Sequence, residues 1–283
     1  MLVNSVNIMK KIEDLLNFGV IVIDKPAGPT SFSVSDFVRK SLGINKTSHF
    51  GTLDPQVTGV LPIATGRACR LTGFFLGHNK TYVGIIRAHK DISLEKLQEL
   101  INKNFLGKIM QLPPKKSRVK RAIREREIIS FELLEKQRND FLFIAEVQGG
   151  TYIRKLCSDL GELIEGAHML ELRRIKAGIF SEDKIVNLYD FEKAIQEHKN
   201  GNSKLLEKMI IPAEIAIKEI MEFVQAKPKS LKKILTGKPL EKIDLEKTPN
   251  QNIFAVFDKE KFLEIAEKTP NDSFFARPKF VLN

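Results

Sequence analysis

The sequence predicts an α+β fold: a mixed, largely antiparallel sheet with flanking helices, followed by a small β-rich module. Three observations carry this. Strand-like and helix-like segments are interspersed without a regular βαβα alternation. The stretches "IISFELLEK" and "FLFIAEVQGG" read as strands joined by the hairpin-like "QRND". From residue 222 the texture changes to short strands and turns punctuated by Lys-Pro and Thr-Pro, as in "FVQAKPKS", "ILTGKPL", "NIFAVFD" and "PKFVLN". The expected division is residues 1–221 as the main α+β domain and 222–283 as the β module.

The elements follow in order. "FGVIVIDKPAGPTS" gives a β-branched strand, Val20 to Ile23, that ends in a Lys-Pro…Gly-Pro turn. "TSFSVSDFVRKSLG" offers Thr30 or Ser31 as N-cap and Gly43 as a stop, hence a helix. An irregular loop around Asp54 comes next, then the strand "KTYVGIIRAHK". "SLEKLQELINKNF" places Leu94, Leu97, Leu100 and Ile101 on one helical face behind Ser93. After the hairpin, "TYIRKLCSDLGELIEG" returns to helix, with Leu156, Leu160 and Leu163 one turn apart and Gly166 at its end. "EHKNGNSK", residues 197–204, is the expected exposed loop.

Composition narrows the classes. The 283 residues carry 46 Lys and Arg against 35 Asp and Glu, a formal net charge of +11, which favours a polyanionic partner through counterion release. Seven of those cations fall in "KKSRVKRAIRER", residues 115–126, against one acid, Glu125. Lys115, Lys116, Arg118, Lys120 and Arg121 are therefore the candidate contacts to a phosphate backbone. Trp is absent and Tyr occurs three times, so phosphate electrostatics rather than an aromatic platform is expected to carry binding. Two cysteines, Cys69 and Cys157, are too few for a disulfide framework or a four-ligand zinc site and read as packed thiols. No apolar run reaches membrane-spanning length and the first residues lack a signal-type block, so the expectation is a cytoplasmic protein with no membrane partner.

"TSHFGTLDPQVTGVLP", residues 47–62, concentrates turn residues around one acid: Gly51, Gly59, an Asp-Pro pair and His49 all flank Asp54. Taken alone it is a surface turn, since Asp before Pro commonly starts one. The order "DKPAGPTS", "HFGTLDPQVTGVLP", "KTYVG", "GGTYIRKLCSDLG" and "GAHMLELRR" changes that reading. Five blocks in this sequence resemble the TruB/dyskerin family of pseudouridine synthases, from about Ile12 to Leu188, and the tail is similar to a PUA RNA-binding domain.

The resemblance implies roles for particular residues. Asp54 matches the family's catalytic aspartate, and Arg154 in "YIR" matches the arginine that pairs with it. Tyr82 matches the tyrosine that stacks on uracil and helps remove the carbon-bound proton late in the reaction. His49 matches the residue that fills the space left by a flipped base, and Lys25 and Leu172 match residues lining the pocket. The chemistry explains why a carboxylate suffices. The glycosidic bond breaks, uracil turns and is rejoined through carbon, so neither redox cofactor nor metal is required. What is required is an ionised carboxylate in a pocket closed to bulk water and a base taken out of its stack.

Two departures from the family pattern stand out: Phe50 follows the histidine, which places a bulky ring at the expected pocket rim, and the PUA-like tail is compressed. Removal of that tail is expected to weaken RNA binding while leaving the pocket formed. The interval from Tyr82 to Pro113 has no room for the long RNA clamp of bacterial-type members. "LPPKKSRVKR" and "KKIEDLLNFGVIVIDKP" are similar instead to the archaeal and eukaryotic H/ACA version, which implies a guide RNA and small accessory proteins as partners and a tRNA or rRNA substrate. Stand-alone action on the tRNA T-loop uridine is the alternative. A catalytically inactive RNA-binding scaffold is a third, and intact Asp54, Tyr82 and Arg154 speak against it.

Overall fold

The computed structural model describes residues 10–113, 121–270 and 274–283. The chain opens with α1 (Ile12–Asn17), β1 (Phe18–Lys25), α2 (Ser31–Leu42), β2 (Thr47–His49), β3 (Thr58–Gly66) and α3 (Thr72–Leu76). It continues through β4 (Lys80–Ala88), α4 (Leu94–Asn104), β5 (Gly107–Gln111), β6 (Arg124–Gln137), β7 (Asp140–Val147) and α5 (Ile153–Glu162). Then come β8 (Ala167–Ala177), β9 (Phe180–Ser181), α6 (Leu188–Lys199), α7 (Lys204–Met209), β10 (Ile210–Pro212) and α8 (Ala213–Ile220). The last part holds β11 (Phe223–Gln225), α9 (Leu231–Leu235), β12 (Ile253–Asp258), β13 (Lys261–Lys268) and β14 (Ala276–Val281).

Among the described residues ten strands form one sheet in the order β10-β1-β3-β8-β4-β7-β6-β5, with β2 beside β3 and β9 beside β8. Its strand pairs are antiparallel except β3 with β8, which run parallel. A second sheet, β11-β12-β13-β14, is built from the tail. The fold is thus α+β with a mixed, largely antiparallel sheet and a small β module.

Burial explains why β1 and β3 read as continuous apolar runs. On one side Ile21, Ile23, Leu61 and Ile63 meet Val34 and Val38 of α2, Leu156 of α5 and Phe191 of α6. On the other, Phe18, Val20, Val22, Val60 and Ala64 meet Phe257, Phe262, Ile265 and Phe280 of the tail. A strand covered on both faces has no polar face to show. Phe18 stacks on Phe262 with ring centroids 5.4 Å apart. Arg67 donates to the carbonyl oxygen of Val281 at 3.0 Å.

The sequence reading left the Asp54 stretch, residues 47–62, as an irregular loop, and its last part opens β3 (Thr58–Gly66). Pro62 hides this strand, because proline argues against a central position. It is tolerated here because β8 pairs with β3 only at residues 58–59 and β2 only at 63–65, so Pro62 sits in the gap. The expected loop at 197–204 is shorter, since α6 runs to Lys199 and α7 starts at Lys204. Leu163 lies beyond the end of α5 and is exposed. Burial pushes the Cys69 thiol up to about 11 and Cys157 to about 12, as befits packed thiols. No helix among the described residues is long and apolar enough to cross a membrane.

Candidate active site

Asp54 sits on the loop between β2 and β3, and the backbone on either side of it is tied down. Leu53 and Val57 are buried anchors in the core. The hydroxyl of Ser31, first residue of α2, accepts from the Leu53 N–H at 2.8 Å and donates to the Leu53 carbonyl at 3.0 Å. The Gly28 N–H donates to the Pro55 carbonyl at 2.9 Å, and the Val57 N–H to the Asp54 carbonyl at 3.0 Å. Gly59, where the loop rejoins the sheet, has φ +100, and a Cβ there would lie 2.2 Å from the carbonyl oxygen of Arg174. The turn residues around Asp54 therefore serve to fix a short loop against two strands and a helix terminus.

Lys25 is the strongest of these ties. It is 0% exposed, and its ammonium donates to the carbonyls of Pro26 at 2.7 Å, Pro55 at 2.9 Å and Val57 at 2.9 Å. All three ammonium hydrogens have partners. Lys25, expected to line the substrate pocket, thus holds the loop in the protein alone. Burial lowers its pKa, and the nearby Asp54 charge acts in the opposite direction. Replacing Lys25 by Met removes a desolvated cation along with its bonds, so the stability loss should stay near 1–3 kcal/mol. Turnover should fall by more than that loss accounts for, because the loop is freed. Urea melts alongside single-turnover rates check the split, and a rate unchanged by the substitution would reject the loop-holding role.

Arg154 reaches Asp54 from the first turn of α5, with its terminal guanidinium nitrogen 2.7 Å from Oδ2. Such a charge-assisted contact sets geometry. The side chains are 48% and 47% exposed, so the pair adds little to stability. In the protein alone the carboxylate is thus half open. Gln111, which the sequence reading passed over, sets the position of Arg154. The buried Gln111 side chain donates to the Tyr152 carbonyl at 3.1 Å and accepts from the Tyr152 N–H at 2.8 Å, two residues before Arg154.

Tyr82 is buried on β4, directly opposite Arg174 of β8 in the ladder. Arg174 was also passed over, because an arginine on a strand ordinarily faces solvent. Here it is 1% exposed. Its Nε donates to the Val60 carbonyl at 2.8 Å and a terminal nitrogen to the Gly51 carbonyl at 3.1 Å. The guanidinium also interacts with the Tyr82 hydroxyl, so Arg174 bridges the tyrosine and the Asp54 loop. The inward phase of β8 was the available signal, since Leu172, two residues earlier, is buried too. Leu172 lies over Gly84, where a Cβ would come within 2.8 Å of its Cδ1.

His49 ends β2 and is half-buried, with Nδ1 buried and unpartnered. Burial and the Arg174 charge lower its pKa. Phe50 is not at the rim: it is buried and stacks on Phe75 with centroids 4.5 Å apart and planes 3° from parallel. Alternation along the strand turns it away from the face His49 occupies. Of the proposed RNA-backbone cations, Arg121 is exposed just before β6, while Lys115, Lys116, Arg118 and Lys120 lie outside the described residues. Among the described residues no cluster of three or more His, Cys, Asp or Glu side chains is arranged to hold a metal ion.

Comparison with known proteins covers most of this architecture. The family described as TruB family pseudouridylate synthase (N terminal domain) matches residues 39–153. The tRNA pseudouridylate synthase B C-terminal domain matches residues 154–218. The protein called Probable tRNA pseudouridine synthase B from Methanocaldococcus jannaschii is 45% identical over 217 residues, which is 76% of this chain and 64% of that protein. Its namesake from Archaeoglobus fulgidus is 44% identical over 217 residues, 76% of this chain and 66% of that protein. The chain thus spans just under two thirds of the length of these curated relatives. Among solved structures it is similar to a chain of a Cbf5-Nop10-Gar1 complex, with a TM-score of 0.88 at 32% identity over 96% of this chain and 87% of that one. It is also similar to a chain of an H/ACA RNP bound to a substrate RNA containing 2′-deoxyuridine, with a TM-score of 0.86 at 30% identity, covering 97% and 88%. Matches of this extent run through the strands and loops that hold Asp54, Tyr82 and Arg154, and on them the chain belongs to the TruB/dyskerin family of pseudouridine synthases.

Proposed function

We propose that this chain isomerises uridine to pseudouridine in RNA as the catalytic subunit of an H/ACA-type guide ribonucleoprotein. The observation that carries the reading is the Asp54–Arg154 pair, 2.7 Å apart, on a loop whose backbone is tied at Leu53, Pro55 and Val57. Isomerisation needs one carboxylate held in a fixed place as nucleophile or base. It also needs a flipped base between that carboxylate and an aromatic ring, the place Tyr82 takes in this proposal. Because Asp54 is half open in the protein alone, the substrate RNA itself excludes water when it docks. Leu172 and His49 line the flipped base.

The guide-dependent form is favoured by the short passage from β4 through α4 and β5 to Pro113, which leaves no long clamp in that interval. Specificity then comes from base pairing by a bound RNA, since cations at 115–121 contact phosphates and carry no sequence information. In this reading residues 222–283 are the PUA-like module that anchors the guide, and small accessory proteins complete the particle. A second reading is stand-alone action on a tRNA T-loop uridine, and the name of the curated relatives favours it. One assay separates the two. A non-tRNA substrate is supplied with a matched guide, a mismatched guide or none, with accessory proteins present, beside a tRNA transcript without guide. Modification should follow the matched guide and weaken steeply with salt. Equal modification in all three conditions, or efficient modification of the bare tRNA alone, would reject guide dependence.

A further inference from the structure

Nearly every phenylalanine of this chain is packed. All 19 lie among the described residues, and only Phe32 and Phe223 stand exposed, at 67% and 37%. Phe223 still meets the Phe257 ring edge-on and has the Lys218 ammonium over its face. Phe32 belongs to none of the apolar clusters. A lone exposed ring is ordinary, but this one has an unusual place. Ser31, the residue before it, accepts from the Leu53 N–H at 2.8 Å and donates to the Leu53 carbonyl at 3.0 Å, and Asp54 follows Leu53. The Gly28 N–H donates to the Pro55 carbonyl at 2.9 Å. Residues 28–32 and 53–55 therefore run side by side.

The helix fixes which way the ring faces. On one flank of α2, Phe37 meets Phe191 of α6 with centroids 6.2 Å apart. On the other, the Ser35 hydroxyl donates to the Thr47 hydroxyl of β2 at 3.0 Å, and that hydroxyl donates to the Ser35 carbonyl at 2.9 Å. Phe32 is one turn before Ser35, on the flank of β2 and His49. Helical side chains lean toward the helix N-terminus, which here is the end tied to Leu53 and Pro55. The open ring thus stands beside the Asp54 loop, whose carboxylate is itself 47% exposed.

We propose that Phe32 is the ring on which the nucleotide next to the target uridine stacks. The inference rests on the synthase reading above. A uridine brought to Asp54 has to leave its stack, and its departure bares one face of the neighbouring base. An RNA that delivers its uridine to the Asp54 carboxylate carries that neighbour past the end of α2, where the Phe32 ring replaces the lost partner. Stacking accepts any base, because each has a π-face, so it suits an enzyme whose choice of site comes from base pairing. The surroundings favour a nucleotide over a protein partner. Thr30 and Ser33 beside the ring are exposed and polar. Asp36, one turn on, is neutralised by Arg39 and Lys40 at 2.8 Å each. One ring in a polar setting lacks the apolar centre of a protein interface.

The test measures binding of substrate RNA to the assembled particle, with an ordinary base or an abasic residue on the 5′ or the 3′ side of the target uridine. On one of the two sides, the abasic RNA should bind the unsubstituted particle about tenfold more weakly. Phe32→Ala should lose the same factor on the intact RNA and nothing further on that abasic RNA, since both changes remove one contact. Phe32→Tyr, which keeps a ring, should bind as the unsubstituted particle does. Unchanged affinity in Phe32→Ala, or losses that add in full, overturns the proposal. Release of an accessory protein from the Ala variant also overturns it, by assigning the ring to a protein partner. An unsubstituted particle that binds RNA but modifies none would instead refute the synthase reading, with the binding cycle still judging Phe32.

Discussion

Asp54→Asn should leave a folded protein with near-normal RNA affinity and reduce turnover by about three decades or more, a rise in barrier on the order of 4 kcal/mol. The structure explains why the two properties separate. The loop is held by the backbone and buried side chains of its neighbours, through Ser31 to Leu53 and through Lys25 to Pro55 and Val57. Among the described residues the Asp54 carboxylate makes no hydrogen bond to that scaffold, and it meets Arg154 at a half-exposed surface. An amide of the same shape keeps the loop and loses the charge. Single-turnover rates, thermal melts and filter binding on the same preparations check this, and an Asn variant with ordinary turnover would remove Asp54 from the mechanism.

Deleting residues 222–283 should abolish the cooperative fold of the remainder, against the sequence-based expectation that the pocket survives. Phe257, Phe262, Ile265 and Phe280 share one apolar cluster with Phe18, Val20 and Val22 of β1 and with Ala213, Ala216 and Ile217 of α8. Uncovering Phe18, Val20, Val22 and Ile217 alone forfeits about 1.5–3 kcal/mol each, a total comparable to the roughly 5–15 kcal/mol that keeps a domain folded. Residues 1–221 alone should be insoluble, or show a flattened near-UV spectrum and no sharp melt. A truncated chain that melts cooperatively would show that the main sheet stands without its cover.

The Asp54 loop was legible because turn residues report local backbone geometry, and Asp54 is surrounded by them. Helices α2 and α4 were legible for the same reason, since Thr30 and Ser93 cap them as their positions predict. What escaped notice depends on partners distant in the chain. Arg174 is inward only because β8 is covered where it passes β3 and β4, and Gln111 matters only because Tyr152, forty-one residues later, lies against it. Phe50 was placed at the rim by its neighbour in sequence, although strand alternation puts the next side chain on the opposite face. Phe262 and Phe280 read as the private core of a small module. Nothing in their own segment reveals that Phe18 completes it.

Strand β1 carries a problem of phase. With both faces buried, "FGVIVIDK" offers no polar alternation to tell one face from the other or to count residues along the strand. Its two ends do the counting. A Cβ at Gly19 would lie 2.4 Å from the Leu15 carbonyl oxygen and 2.4 Å from Ile210 Cγ2, so a slip of two residues that brings Ile21 there is blocked. The opposite slip puts Ile23 where Lys25 satisfies three carbonyls and leaves those oxygens bare in the interior. The lysine that steadies the Asp54 loop is thereby also a frame mark for the strand.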